Sequence, residues 1–193
     1  MNRVRAEFDS VIAAEKDKPI TEVLKNDLTM EKCNDMTYLG CVIHEALRVN
    51  PAVPTTSYYH FEKDTTIGTL KVKAYDPILI SIHPLHHSSK HWQEPSKFNP
   101  DRFDQSHPDS KTPDGKKRPQ MSWLPFNGGK RICFGKTFAE AALKMIISMM
   151  AQRFNFEFVE TGKYDKDNLP MLMLGQTHYP KIPVKLSKYV KKA

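Results

Sequence analysis

The feature that most constrains this chain is a short segment around its third cysteine. It reads Phe126-Asn127-Gly128-Gly129-Lys130-Arg131-Ile132-Cys133-Phe134-Gly135, and a helical pattern follows it. Adjacent glycines allow backbone angles that other residues resist, and the amino terminus of a helix offers free N–H groups with partial positive charge. The free N–H groups and the positive charge of the helix terminus both favour the thiolate form of a cysteine. We therefore interpret Cys133 as a functional thiol, although a buried free cysteine ahead of an ordinary helix is the commoner case for cysteine in general.

The residues beside Cys133 indicate what the thiol would bind. Gly135 removes a side chain where a flat ligand would have to approach, and Arg131 places a permanent cation two residues from the sulfur, where it suits a carboxylate. Haem combines a flat ring, an iron that accepts a cysteine thiolate, and carboxylate substituents, the propionates. The segment therefore predicts a haem site.

The same segment resembles the signature of the cytochrome P-450 family, F-x-x-G-x-R-x-C-x-G. A match of this length is expected by chance in this composition with a probability on the order of 10⁻⁵. The resemblance implies haem b as the cofactor, with Cys133 as the axial ligand of its iron and Arg131 bound to a propionate. On the cysteine side of the haem, the resemblance implies contacts from Phe126, Gly129, Phe134 and Gly135.

Two further segments resemble the family and occur in its order. Glu45-Ala46-Leu47-Arg48 matches the E-x-x-R of the family's K helix, where both charges lie on one helix face. About 0.4 such pairs are expected by chance, and alone the pair would be an exposed ion pair worth under about 1 kcal/mol. Pro100-Asp101-Arg102-Phe103 resembles the family's P-E-R-F element. The resemblance implies a buried network of Glu45, Arg48 and Arg102 that holds the cysteine loop under the haem.

Hydrophobic periodicity predicts an α+β fold that is mostly α. Helical patterns cover 1–16, 22–25, 36–49 and 135–151; apolar runs at 67–72, 78–80, 154–160, 171–174 and 182–186 predict short strands; and 83–120 is mostly irregular. In the last helix Phe138, Met145, Ile146 and Met149 form the predicted apolar side. By resemblance, residues 1–193 are a single partial domain, the C-terminal portion of the cytochrome P-450 fold with its K helix, small β-sheets, meander, cysteine loop and L helix.

Several family elements have no counterpart in the sequence. No Ala-Gly-x-Asp/Glu-Thr pattern of the distal helix is found, and the family's C helix and amino-terminal membrane anchor are missing as well. We therefore expect no oxygen-activating catalytic residue in this chain. No apolar run reaches the roughly 18–20 residues of a membrane-spanning helix. The compartment is undefined by the sequence, and the endoplasmic reticulum membrane is implied only if the full-length protein carries the family's anchor.

The resemblance implies a monooxygenase that takes two electrons and dioxygen and hydroxylates a small apolar organic substrate. The electron donor would be a reductase that docks on a basic proximal face formed by Lys130, Lys136 and Lys144. The alternative is a catalytically silent haem-binding or interaction fragment. A nucleic-acid-binding role rests only on the net charge of +7 and on basic runs such as 116–118, which we interpret as solvated loops; we therefore expect no nucleic-acid partner.

Two smaller questions concern histidines. His83, His87 and His91 follow an i, i+4, i+8 spacing, so a zinc site is an alternative to a polar loop with loosely placed histidines. Tyr59 stands where many family members have an arginine near a propionate, and His60 is a candidate substitute. The residue that makes the second propionate contact therefore stays open.

Overall fold

The computed structural model describes residues 1–12, 18–159 and 183–190. Within these ranges the helices are α1 (Asn2–Ile12), α2 (Ile20–Asn26), α3 (Met30–Asp35), α4 (Thr37–Val49), α5 (Ile82–His86) and α6 (Lys136–Arg153). The strands are β1 (Thr65–Ile67), β2 (Leu70–Val72), β3 (Phe154–Phe158) and β4 (Val184–Lys188). Single 3₁₀ turns lie at Pro100–Phe103, Pro108–Ser110, Gln120–Ser122 and Gly129–Arg131.

The core is a helix cluster in which α1, α3 and α4 pack on α6. Helical spacing places Val4, Phe8 and Ile12 on one face of α1, where they are buried together with Leu39 and Ile43 of α4. Burial of these side chains, more than local helix propensity, stabilises helices as short as α1 and α3.

Two side chains of α1 bind the backbone of its neighbours. Arg5 is buried, and its Nε donates to the carbonyl of Ala151 over 2.8 Å, near the end of α6. The Glu7 carboxylate accepts from the N–H groups of Tyr38 and Leu39 over 2.6 and 2.8 Å. Because the first N–H groups of a helix have no partner within the helix, Glu7 caps α4 from outside.

The strands form two separate antiparallel pairs, β1 with β2 and β3 with β4. Gly68, between β1 and β2, has a φ of +59°, which glycine adopts at little cost. The predicted mixture of helices and small sheets is confirmed.

Some predicted elements differ. The predicted strand at 78–80 is not formed. Isolated bridges join Tyr59 to Ile78 and Thr55 to Ser81, because the partner segment 55–59 is too irregular to form a continuous ladder. Helices α3 and α5 were not predicted, since neither has room for a repeated apolar pattern. The predicted strand at 171–174 and the end of the first helix at 16 lie outside the described residues, and the last predicted strand is observed as β4.

The buried side of α6 differs from the predicted one at three of its four positions, whereas Met145, the fourth, is partly buried against the core as predicted. Phe138 and Ile146 are 79% and 52% exposed, and Met149 is exposed as well. The buried positions are Ala141, Ser148, Ala151 and Gln152. Three of these buried side chains are small and let α6 approach its neighbouring helices closely, while Leu143, Met145 and Ile147 pack beside them against the core.

Candidate functional site

The segment around Cys133 forms a tight loop, and we call residues 123–135 the cysteine loop. The Cys133 N–H donates to the Phe126 carbonyl over 2.8 Å, which closes a turn inside the loop. Asn127 and Gly129 have φ values of +60° and +64°, and residues 129–131 form one 3₁₀ turn. A side chain at Gly129 would meet no atom within 4 Å, so the backbone angle and not space calls for glycine there.

The loop presents its thiol at the surface, just ahead of α6. Cys133 is exposed, and the Lys136 N–H at the start of α6 donates to the Cys133 carbonyl over 3.3 Å. A Cβ added to Gly135 would stand 3.8 Å from the sulfur. A side chain at Gly135 would therefore lie in contact with the thiol, and glycine leaves that space open.

The surroundings of the thiol fit a flat, apolar group that carries carboxylates. Ile132 and Phe138 are exposed, and Phe134 is fully so. Exposed apolar side chains gathered around one feature mark a binding surface. Arg131 is exposed too, and its guanidinium makes no ion pair within the described residues, so the cation is available to a carboxylate. A thiol, apolar side chains and a cation are the groups that could ligate the iron, contact the ring and bind a propionate of a thiolate-ligated haem.

The structure brings Glu45, Arg48 and Arg102 together in the interior. The Arg48 Nε and one of its terminal nitrogens donate to the two Glu45 oxygens over 2.7 and 2.9 Å. The Arg102 Nε lies 3.4 Å from Glu45 Oε1. All three side chains are buried. Burial, which disfavours the charged form, lowers the pKa of Arg102, and the Glu45 carboxylate opposes that shift.

This cluster also binds the backbone of the irregular segment that follows α5. Arg48 donates to the carbonyls of His86 and Lys97 over 2.9 and 3.2 Å, and Arg102 donates to that of Glu94 over 2.9 Å. Glu45 accepts from the Asn99 N–H over 2.8 Å. Residues without a regular hydrogen-bond ladder are therefore fixed by buried charges.

Arg118 is a further organising residue that sequence analysis missed. Its guanidinium donates to four backbone carbonyls at 2.9–3.2 Å, those of His91, Arg102, Asp109 and Lys111. It also stacks 4.0 Å from the centre of the buried Trp92 ring. Burial lowers the pKa of Arg118 to about 10, which leaves it charged at neutral pH. In the sequence, Arg118 is one of three adjacent basic residues, 116–118, and nothing distinguishes it from the other two. Our interpretation of these residues as a solvated loop is therefore wrong for Arg118.

His86 is the second missed residue. It is buried, and its Nε2 accepts from the Leu124 N–H of the cysteine loop over 2.8 Å. Burial lowers the pKa of His86 to about 4, so the ring is neutral at physiological pH. The sequence showed His86 only as one member of a histidine-rich stretch, where nothing separated it from its neighbours.

The histidine-rich stretch does not form a metal site. The rings of His83 and His87 stack with their centroids 4.2 Å apart, and His87 Nδ1 lies 3.0 Å from the His83 carbonyl. In the part of the chain that the structure describes, no group of three or more His, Cys, Asp or Glu side chains is placed to hold a metal ion. The zinc alternative is therefore wrong for these residues: the turn after α5 takes His91 off the shared helix face.

Two of the three lysines expected on a basic face have internal partners. Lys136 pairs with Glu140 over 2.7 Å and lies 5.9 Å from the Phe126 ring centroid. Lys144 donates to the Asn34 carbonyl over 3.3 Å. Lys130 is exposed.

The residues considered for a second propionate contact lie on the segment before β1. Tyr59 pairs with Ile78 through two backbone hydrogen bonds of 2.7 and 2.9 Å, and the His60 ring lies 5.5 Å from that of Tyr75. Which of them binds a propionate stays a prediction.

Among the helices that the structure describes, none combines the length and apolar character needed to cross a bilayer.

Comparison with known proteins identifies the class that this fold and thiol site define. The family model of cytochrome P-450 matches residues 1–182. The chain belongs to the cytochrome P-450 family.

Individual relatives are similar over most of this chain. It is 35% identical over 132 residues to the steroid 17-alpha-hydroxylase/17,20 lyase of Bison bison, a match that covers 67% of this chain and 25% of that protein. It is 33% identical over 135 residues to the (S)-canadine synthase of Papaver somniferum, covering 70% and 26%. A trifunctional (S)-stylopine, (S)-nandinine and (S)-canadine synthase of Argemone mexicana is 32% identical over 157 residues, covering 79% and 31%. The chain thus spans a quarter to a third of the length of these relatives.

Proposed function

We propose that Cys133 is the axial thiolate ligand of haem b and that the protein built on this chain is a monooxygenase. The observation that carries the proposal is the exposed Cys133 thiol, which is fixed by its N–H bond to Phe126 and flanked by the open space at Gly135. Membership of the cytochrome P-450 family supports it. The relatives named above are enzymes, as their names state, which favours the enzymatic interpretation over a catalytically silent fragment.

Each residue of the loop has a part in this proposal. When bound, haem would supply the oxygen chemistry, because a cysteine thiolate donates electron density that favours O–O cleavage. Arg131 would bind a propionate through its guanidinium, and Phe134 would contact the ring. The turn closed by Phe126, together with the positive φ of Gly129, holds the thiol at one position before a ligand arrives. Glu45, Arg48 and Arg102 would keep the segment behind the loop in place.

The remainder of the active site is proposed to come from sequence outside residues 1–193. The match covers about a quarter of the length of the Bison bison relative, and the residues proposed here to hold the haem all lie in the cysteine loop. The substrate is proposed to be a small apolar organic molecule, in keeping with a steroid hydroxylase among the relatives. An electron-donor reductase is proposed to dock beside the cysteine loop at Lys130, with Lys136 and Lys144 along α6. In a protein that also carries the family's membrane anchor, this chain would be held at the endoplasmic reticulum.

A carbonyl difference spectrum tests the proposal. We expect the chain expressed with haem to give, after reduction and addition of carbon monoxide, the red-shifted Soret band of a thiolate-ligated haem, and Cys133→Ala to lose it. Cys41→Ala is the matched control, because Cys41 is a half-buried thiol in α4 outside the loop. A red-shifted band that persists in Cys133→Ala would reject Cys133 as the ligand.

A further inference from the structure

The cysteine loop is attached to the rest of the protein by very few polar contacts. Its backbone hydrogen bonds stay within residues 120–139: Trp123 to Gln120, Asn127 to Leu124, Ile132 to Gly129, Cys133 to Phe126 and Lys136 to Cys133. Over the described residues, one hydrogen bond leaves this range from the loop backbone, and it joins the Leu124 N–H to His86 Nε2 over 2.8 Å. Apart from ring packing at Trp123, the loop therefore has a single directional link to the scaffold.

The scaffold side of this link is rigid. His86 is the last residue of α5 and is fully buried. Its own carbonyl accepts from Arg48 over 2.9 Å, and Arg48 is in turn held by both oxygens of Glu45. The contacts therefore run from the Glu45 carboxylate through Arg48 to the His86 backbone, and from the His86 imidazole to the loop that carries Cys133.

The chemistry of the link requires a particular form of the ring. An amide N–H can only donate, so Nε2 has to be unprotonated and the single ring proton has to sit on Nδ1. Burial favours this neutral form, in agreement with the lowered pKa of His86. A ring that accepted a second proton would lose its only acceptor site and release Leu124.

We propose that His86 is a positioning residue for the axial thiolate: its neutral imidazole fixes the cysteine loop through Leu124, and so sets where Cys133 meets the haem iron. This inference rests on the proposed haem site and deepens it. It gives a function to a buried side chain that neither the signature around Cys133 nor the charged cluster includes. The Cys133 N–H bonds to the carbonyl of Phe126, two residues after Leu124, so a displacement of Leu124 is passed to the thiol.

The test compares three replacements of His86. The side-chain oxygen of a glutamine can take the place of Nε2 and accept from Leu124. The oxygen of an asparagine lies near the place of Nδ1 and falls short of Leu124, and leucine has no acceptor. We expect His86→Leu and His86→Asn to speed amide hydrogen exchange at Leu124 by about tenfold or more in the chain without haem, while α4 amides are unchanged. His86→Gln should stay within about threefold of the parent chain, because its hydrogen bond is kept. His87→Leu is the control, since His87 bonds to His83 and not to the loop.

The haem-loaded protein provides a second measurement. The fraction of bound haem with the red-shifted carbonyl band should fall in His86→Leu and His86→Asn and be restored in His86→Gln. If His86→Leu does not fold, the comparison of Asn with Gln decides. Unchanged exchange at Leu124 in a folded His86→Asn variant, or a Gln variant no better than Asn, would overturn the inference. Loss of the band in the parent chain would instead count against the haem site, which keeps the two failures distinguishable.

Discussion

At the scale of single residues, the buried Glu45 carboxylate joins three partners from different segments of the chain. It accepts from Arg48 and from the Asn99 N–H, and it lies 3.4 Å from Arg102. Taking charges out of water costs several kcal/mol per ion, which a close partner with good hydrogen bonds offsets. Such a cluster adds little net stability but is very sensitive to the loss of one member, because the guanidiniums that remain are buried without a counter-charge.

Replacing Glu45 by alanine should therefore be severe. We expect a loss of about 3–5 kcal/mol in the free energy of unfolding, measured by urea titration, with a parallel loss of bound haem. Glu22→Ala is the matched control: Glu22 is half exposed and 3.9 Å from Lys18, so its loss should cost under about 1 kcal/mol. Equal losses in the two variants, or normal haem content in Glu45→Ala, would contradict the structural role of the cluster.

At the scale of elements, α5 is a five-residue helix that links α4 to the cysteine loop through His86. The His86 ring lies near the cation of Arg48 and the ring of His87, and both neighbours disfavour a second proton on His86. Because the pKa of His86 is about 4 in the folded chain against an ordinary 6.5, the unfolded chain takes up a proton between these values that the folded chain does not.

This difference predicts the pH dependence of stability. The contribution of His86 is complete above pH 6.5 and is lost as the pH falls towards 4, so lowering the pH from 7 to 4.5 should cost about 2–3 kcal/mol. His86→Gln cannot titrate and should lack this part of the loss. The measurement is urea unfolding of both proteins at the two pH values; because His44 and His83 titrate in both, the difference between the proteins isolates His86. Parallel losses would contradict the assignment.

Elements with a repeated apolar pattern were predictable from the sequence. The spacing of Leu39 and Ile43 gave the helix 36–49, observed as 37–49, and Phe8 and Ile12 gave α1. Helix α5 was not predictable, because its position depends on Arg48 holding the His86 carbonyl, a contact made 38 residues apart. The packed side of α6 was predicted only at Met145, since hydrophobicity also pointed to the exposed Phe138 and Ile146 and missed the small buried residues.

The same division holds for the candidate site. The residues of the cysteine loop were found by their spacing, and Glu45, Arg48 and Arg102 by resemblance to the family. Arg118 and His86 were missed because each acts on backbone groups. Nearly every residue has a backbone carbonyl and an N–H group. A side chain that binds them therefore needs no particular residue type as its partner, and the sequence does not show the contact.

At the scale of the whole molecule, the cysteine loop and the start of α6 combine an exposed lysine with exposed apolar side chains. The chain carries a net charge of +7, and Lys130 stands exposed within the loop itself. Basic surfaces steer acidic proteins towards them, and salt screens this attraction with a Debye length of about 10 Å at 0.1 M. The exposed Phe134 and Phe138 lie in the same stretch of sequence as Lys130, which fits a surface that is covered in the working protein.

The proposed docking of an electron donor can be tested by ionic strength. The rate of haem reduction by an acidic reductase should fall as salt rises, and Lys130→Glu should lower the low-salt rate by about two- to tenfold and flatten the salt dependence. Lys71→Glu, on the exposed strand β2, makes the same change in net charge away from the loop and should have a smaller effect. Reduction that does not weaken with salt, or equal effects of the two variants, would reject the docking surface.

The central claim is that the Cys133 sulfur coordinates the iron of a bound haem. X-ray absorption at the iron edge of the haem-loaded protein tests it most directly, because sulfur and nitrogen neighbours scatter differently. We expect one sulfur in the first coordination shell of the iron in the parent protein and in His86→Gln, and none in Cys133→Ala. Iron with only nitrogen or oxygen neighbours in the parent protein, or a sulfur that remains in Cys133→Ala, would contradict it.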